Sequence, residues 1–196
     1  FFCMALTAIT EFGPQQWVGL IMSASGASPM LILALTTGVM AVGRFFAGPV
    51  VKSLGQTGVL LGGAIFAALG IFMFSTVTGP MAYLAALIFA IGVCYFWPVM
   101  VGAVAQRVPL SGALGMSIIG GVGMFSTAIF QPIIGGWIDS DRAAQAAAGL
   151  SGDALELAAG QETLMKMVSF PGILIVLFII FFIWQRGSKP ATSAAH

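Results

Sequence analysis

The chain has 196 residues, of which 7% are charged and 59% hydrophobic, with a net charge of +1 and a mean hydropathy of +1.07. A soluble domain carries roughly 25% charged residues, so this chain cannot dress a water-facing surface. That excludes a cytosolic enzyme and a disordered tail, and the absence of a basic field excludes a nucleic-acid binder. Cys3 and Cys94 both lie in apolar runs and form no disulfide or metal pattern. The single histidine is His196, which removes Ser-His and Cys-His hydrolases and most zinc sites. No catalytic residue, cofactor or metal is expected. The chain opens on Phe1-Phe2-Cys3 inside an apolar run, with no initiator Met at its head and no basic leader. The expectation is a piece of a longer protein.

A membrane span needs about 20 apolar residues, and six such runs are visible. The first covers 1–25 and is interrupted by Glu11, Gln15 and Gln16. The second covers 29–51 and is followed by a tight polar loop around Lys52 and Gly55. The third covers 57–78 and stops at Gly79-Pro80. The fourth covers 81–106, the fifth 112–138 and the sixth 162–185, with a kink expected at Pro171. Residues 139–161 read as a polar, Ala-rich outward loop, with a short helix expected from Gly152 to Ala159, and 187–196 as a polar tail. Only helices suit these runs, because lipid offers no partner to backbone groups and a barrel needs shorter alternating segments. The fold class is therefore an all-α integral membrane bundle of six transmembrane helices.

Orientation follows the basic residues of the short loops. Arg44, Lys52, Arg107, Arg186 and Lys189 fall on one side if six spans alternate, and Asp139, Asp141, Asp153, Glu156 and Glu162 on the other, against Arg142 and Lys166. The basic side is expected to be cytoplasmic, with both termini there.

The end of the second run reads Gly43-Arg44-Phe45-Phe46-Ala47-Gly48, and a basic turn with Lys52 and Gly55 follows. This resembles the cytoplasmic signature of the major facilitator superfamily, in its second copy between the eighth and ninth helices. Val51 stands where the stronger copy has an acid, so no charge relay carries over. Gln131-Pro132-Ile133-Ile134-Gly135-Gly136 is similar, more weakly, to an element of the fifth and eleventh helices. Tyr95 to Pro98 and the Gly120–Gly123 run look like bacterial sugar-type members in style. The resemblance implies the C-terminal six-helix half of a twelve-helix transporter in a bacterial inner membrane. Each such half is built from 3+3 inverted repeats. Trp17 and Trp97, and likewise Pro49 and Pro132, lie about 80 residues apart, as a repeat of that size requires. The partners implied are a small polar solute of the sugar type, the lipid bilayer, and a missing N-terminal half.

Glu11 is the one acid well inside a run. A carboxylate there costs at least roughly 2.5 kcal/mol, so it normally faces a cavity or a partner. Gln15 shares its helix face, Gln16 and Trp17 follow, and Gly13-Pro14 weakens the helix beside it. Together they suit hydrogen bonding to a solute, with Glu11 loading and releasing a proton. Trp97 is either a stacking platform or packing, and Gln131 bonds either a solute or a neighbouring helix. Arg44 is either an interfacial anchor that snorkels outward or, by the resemblance, a conformational tie between helix ends. On the latter reading Gly43 and Gly48 are close-approach points. Gly58 and Gly62 make a helix-packing pattern, and Trp137 and Trp184 look like interface anchors.

The function so implied is alternating-access transport, with proton coupling through Glu11. The rivals are a self-contained six-helix unit that dimerises into a transporter, and a non-transporting scaffold or receptor on the same fold. A membrane enzyme lacks a nucleophile–base pair.

Overall fold

The computed structural model describes residues 1–187. Within them the chain is helical throughout, with no strand. The helices are α1 (Phe2–Ser23), α2 (Pro29–Phe45), α3 (Ala47–Phe74), α4 (Met81–Val93), α5 (Phe96–Arg107), α6 (Gly112–Ala147), α7 (Gly152–Met167) and α8 (Ser169–Gly187). Four helical stretches are long and apolar enough to cross a membrane: Ala47–Phe74, Met81–Gln106, Gly112–Ala147 and Gly152–Trp184. The 17-residue α2 is a shorter apolar helix. The 22-residue α1 carries Thr7, Thr10, Glu11, Gln15 and Gln16, and its polarity keeps it out of that group.

Proline and glycine set the breaks. Pro49 has no N–H for the carbonyl of Phe45, where α2 stops. The helical run expected to reach residue 51 therefore ends earlier, and α3 begins at Ala47 as a short turn. Gly55, at φ 72° and ψ 160°, then reorients the chain into the long part of α3. Pro98 leaves the carbonyl of Cys94 without its helical donor, and the chain turns at Cys94 and Tyr95 between α4 and α5. Pro171 does the same to Met167, and α7 yields to α8 at Val168. The start of α2 is capped: Ser28 Oγ accepts from the Leu31 N–H at 3.5 Å, with Pro29 in the first turn.

Successive stretches run up and down, with α4 and α5 sharing one stretch and α7 and α8 another. At one end the Gly79 N–H donates to Ser25 Oγ at 3.4 Å and the Ser28 N–H to Tyr83 Oη at 2.9 Å. Gln161 Nε2 reaches the Val77 carbonyl there at 2.9 Å. At the other end Gln56 Nε2 donates to Gln106 Oε1 at 2.9 Å. α1 touches every other helix, so it is the central column. That is why it tolerates polar residues that a lipid-facing helix would expose at high cost.

Small residues bring α3 and α4 together. A Cβ at Gly63 would lie 2.6 Å from the Gly92 carbonyl, one at Gly70 2.5 Å from Phe89 Cα, and one at Gly92 2.3 Å from the Ala67 nitrogen. Ala64, Ala67, Ala85, Ala86 and Ala90 fill the rest of the seam and are fully buried. The expected packing pair, Gly58 and Gly62, is not in it. A Cβ at Gly62 meets nothing within 4 Å, and one at Gly58 meets only its own helix at Leu54.

Residues 139–161 are helical well beyond the short helix expected at 152–159. α6 continues to Ala147, turns through Gly149 at φ 92°, and returns as α7 from Gly152. Ion pairs hold this helical hairpin. Arg142 donates to both Glu156 oxygens at 2.7 Å and to Asp139 Oδ1 at 2.7 Å. The buried Asp141 accepts from Thr163 Oγ1 at 2.7 Å and pairs with Lys166. Gln145 bonds Glu162 at 2.9 Å. Alanine, a strong helix former, supplies the local preference, and the cross-hairpin pairs supply the register. The tail assigned to 187–196 lies, beyond Gly187, outside the described residues.

Candidate functional site

Three helical segments meet at mid-height of α1. Glu11 lies halfway along α1 and is 1% exposed. Arg44 comes from the last turn of α2 and turns inward rather than snorkelling toward an interface. Its Nη2 donates to Glu11 Oε1 at 3.1 Å and its Nε to the Cys94 carbonyl at 3.1 Å. That carbonyl is the one Pro98 released, so the break between α4 and α5 creates the acceptor that orients Arg44. Glu11 Oε2 is buried with no hydrogen-bond partner. A buried carboxylate oxygen in that condition costs free energy until it gains a donor or a proton.

α2 docks closely on the break. A Cβ at Gly43 would lie 2.6 Å from Cys94 Sγ, and Tyr95 Oη donates to the Gly43 carbonyl at 2.9 Å. Gly43 is thus a point of close approach. Gly48 is not, since a Cβ there meets nothing within 4 Å. Gly55 owes its identity to its positive φ, and Lys52 is exposed.

Beside the ion pair opens a cavity of about 330 Å³, lined by Glu11, Phe12, Gln15, Met40, Arg44 and Trp97 among others. Small-molecule sites commonly begin at about 300 Å³. The Arg44 side chain, 41% exposed, lines this space, and its Nη1 has no partner among the described residues. Gln15 gives Nε2 only to Met40 Sδ, at 3.5 Å, a weak acceptor. Trp97 meets Phe12 edge-on at 5.8 Å and lies over α6, where a Cβ at Gly123 would come within 3.0 Å of its ring. The glycines of α6 therefore make room for this indole.

The other expected solute contacts sit elsewhere. Trp17 Nε1 donates to Gln131 Oε1 at 2.8 Å, and Gln131 Nε2 to the Phe12 carbonyl at 3.0 Å. The two side chains bind each other and clamp α1 to α6. Gln16 is exposed and lines a separate groove between α1 and α2. Trp137 stacks on Phe170 at 6.1 Å, whereas Trp184 is exposed. Sequence reasoning singled out Glu11 and Arg44 but did not join them. It missed Cys94 and Tyr95 as partners of α2, and the signal that could have found them is Pro98. Among the described residues, no group of three or more His, Cys, Asp or Glu side chains is placed to hold a metal.

No protein-family model, curated protein or solved structure matches the chain.

Proposed function

We propose that the chain is a six-span half of a secondary transporter of the major-facilitator type, embedded in a bacterial inner membrane with its basic loops and both termini cytoplasmic. It moves a small polar solute by alternating access. The observation that carries this reading is the Glu11–Arg44 pair: a fully buried carboxyl with an unpartnered oxygen, held at a helix break and bordering an open cavity. Ionisable groups at that depth mark transport pathways and proton relays, and broken helices near the midplane commonly frame substrate sites. Resemblance in the Gly43–Gly55 stretch supports the family. The four long apolar stretches, with α2 and the central α1, support six crossings.

Glu11 carries the coupling proton, and Arg44 balances its charge between proton-loaded states. Rocking of the bundle opens and closes the cavity, with the α4–α5 break and the Gly55 bend as compliant points. The test uses the complete protein in proteoliposomes under an imposed pH gradient, with a panel of radiolabelled sugars, polyols and carboxylates. A solute that accumulates with wild type should no longer accumulate with Glu11→Gln, while exchange across the membrane persists. Unchanged pH-driven accumulation by Glu11→Gln refutes the coupling role. Absence of uptake for every solute refutes the transport reading.

A further inference from the structure

Resting on the transport reading above, the geometry points to a solute that carries a carboxylate, bound by Arg44 from the cavity side in place of its bond to Glu11, with one proton taken up by Glu11 as the anion enters. The buried acid and Arg44 both border the open space, and Arg44 presents far more of its side chain. It spends Nε on the Cys94 carbonyl and Nη2 on a single oxygen of Glu11. Its remaining donors have no partner among the described residues, and the side chain lines a cavity of about 330 Å³. Guanidinium presents paired donors that match a carboxylate fork, yet Glu11 fills only one tooth of that fork. The second carboxyl oxygen, Oε2, is buried and unpartnered.

Charge decides the class of ligand. With the cavity empty, Glu11 and Arg44 cancel. Both charges line the cavity, but a cationic solute would meet mainly Arg44, whose side chain is 41% exposed, and hardly Glu11, which is 1% exposed. An anion meets Arg44 first and leaves the site with one excess negative charge. One proton on Glu11 restores neutrality, and Oε2 is a place for it that displaces no existing bond. The bond formed is O–H at Glu11; the bond broken is that of a hydronium or buffer acid, whose conjugate base stays in solution, and no electron moves. Binding of anion and proton are then mutually reinforcing, as linkage requires. The body of the solute lies against Trp97, Phe12 and Met40, with Gln15 free to bond a hydroxyl.

Arg44 is the charged side chain acting on Glu11 among the described residues. The other titratable groups against the pair come from the α4–α5 break. Cys94 donates Sγ–H to the Met40 carbonyl at 3.5 Å and Tyr95 its hydroxyl to Gly43, so both protons are already committed.

The experiment is calorimetric titration of the complete protein in detergent with gluconate, lactate and benzoate, and with glucose and sorbitol as neutral counterparts. Buffers of different ionisation enthalpy count the protons taken up. The expected result is binding of at least one carboxylate with uptake of about one proton, and an affinity that weakens about tenfold per pH unit while Glu11 is ionised in the free site. Glu11→Gln should bind the same anion with no proton uptake and no pH dependence. Glu11→Gln combined with Arg44→Gln removes both charges together, so no uncompensated charge threatens folding, and it should lose anion binding. Binding of glucose or sorbitol with no carboxylate bound overturns the inference and leaves the transport reading standing. So does a double variant that binds the anion normally, or a proton uptake that survives Glu11→Gln. A panel in which no carboxylate binds overturns it as well. Anion binding of the expected kind with no uptake into proteoliposomes would instead sink the transport reading alone.

Discussion

Replacing Gly92 by alanine tests the helix packing most directly. The added Cβ would sit 2.3 Å from the Ala67 nitrogen and 2.8 Å from Ala67 Cα and the Phe66 carbonyl carbon. All three are backbone atoms of α3, so no rotamer change relieves the clash. Ordinary contact begins near 3.4 Å, and α3 and α4 must part by about 1 Å, a gap that forfeits up to half of each contact's attraction. The loss spreads along the seam, because Gly63 abuts the Gly92 carbonyl and Gly70 abuts Phe89. Overpacking of this kind costs about 1–3 kcal/mol, and the rigid backbone on both sides places Gly92→Ala at the upper end. Gly62→Ala is the control. It adds the same methyl one residue from Gly63, where nothing lies within 4 Å, and should be neutral or stabilising by up to about 1 kcal/mol through helix preference. Both variants would be unfolded by SDS titration in mixed micelles and followed by helical circular dichroism. Gly92→Ala as stable as Gly62→Ala would refute the close approach of the two helices.

Three further outcomes are expected. Pro98→Ala returns an N–H to the Cys94 carbonyl in competition with Arg44 Nε; pH-driven uptake should fall while stability in SDS holds or rises, and intact coupling would mean that the break does not orient Arg44. A double-mutant cycle of Trp17→Phe with Gln131→Leu should give a coupling of about 0.6 kcal/mol, the typical worth of an interhelical hydrogen bond in a membrane; zero coupling would show that the clamp between α1 and α6 does not form. In the α6–α7 hairpin Arg142 donates to both oxygens of Glu156 at 2.7 Å. Arg142→Gln should quicken amide exchange at 143–156, and unchanged exchange would show that this pair does not hold the hairpin.

Much of the architecture was legible in the sequence because lipid constrains it so hard. Apolar run length and the absence of alternation required helices, and Gly79-Pro80, Gly55 and Pro171 marked turns close to where they occur. Glu11 stood out by its cost. Other features depended on rotation about a helix axis, which sequence patterns resolve poorly. Gly62 and Gly63 differ by about 100° around α3, and only the second faces α4. The outward segment read as a loop because its charges suggested water. Those charges pair across two helices instead, and a partner fourteen positions away along the chain leaves no periodic trace.

What the sequence determined alone was the solvent, the helical class and the presence of one expensive acid, since these follow from composition and from the cost of unpaired backbone in lipid. Which way Arg44 points was decided by tertiary structure. Its long side chain can snorkel outward or reach inward, and the inward choice needs a carbonyl freed by Pro98 some fifty residues away and a carboxyl on another helix. The central position of α1 was decided the same way. A polar helix is tolerable in a membrane only where other helices surround it, and that enclosure belongs to the assembled bundle.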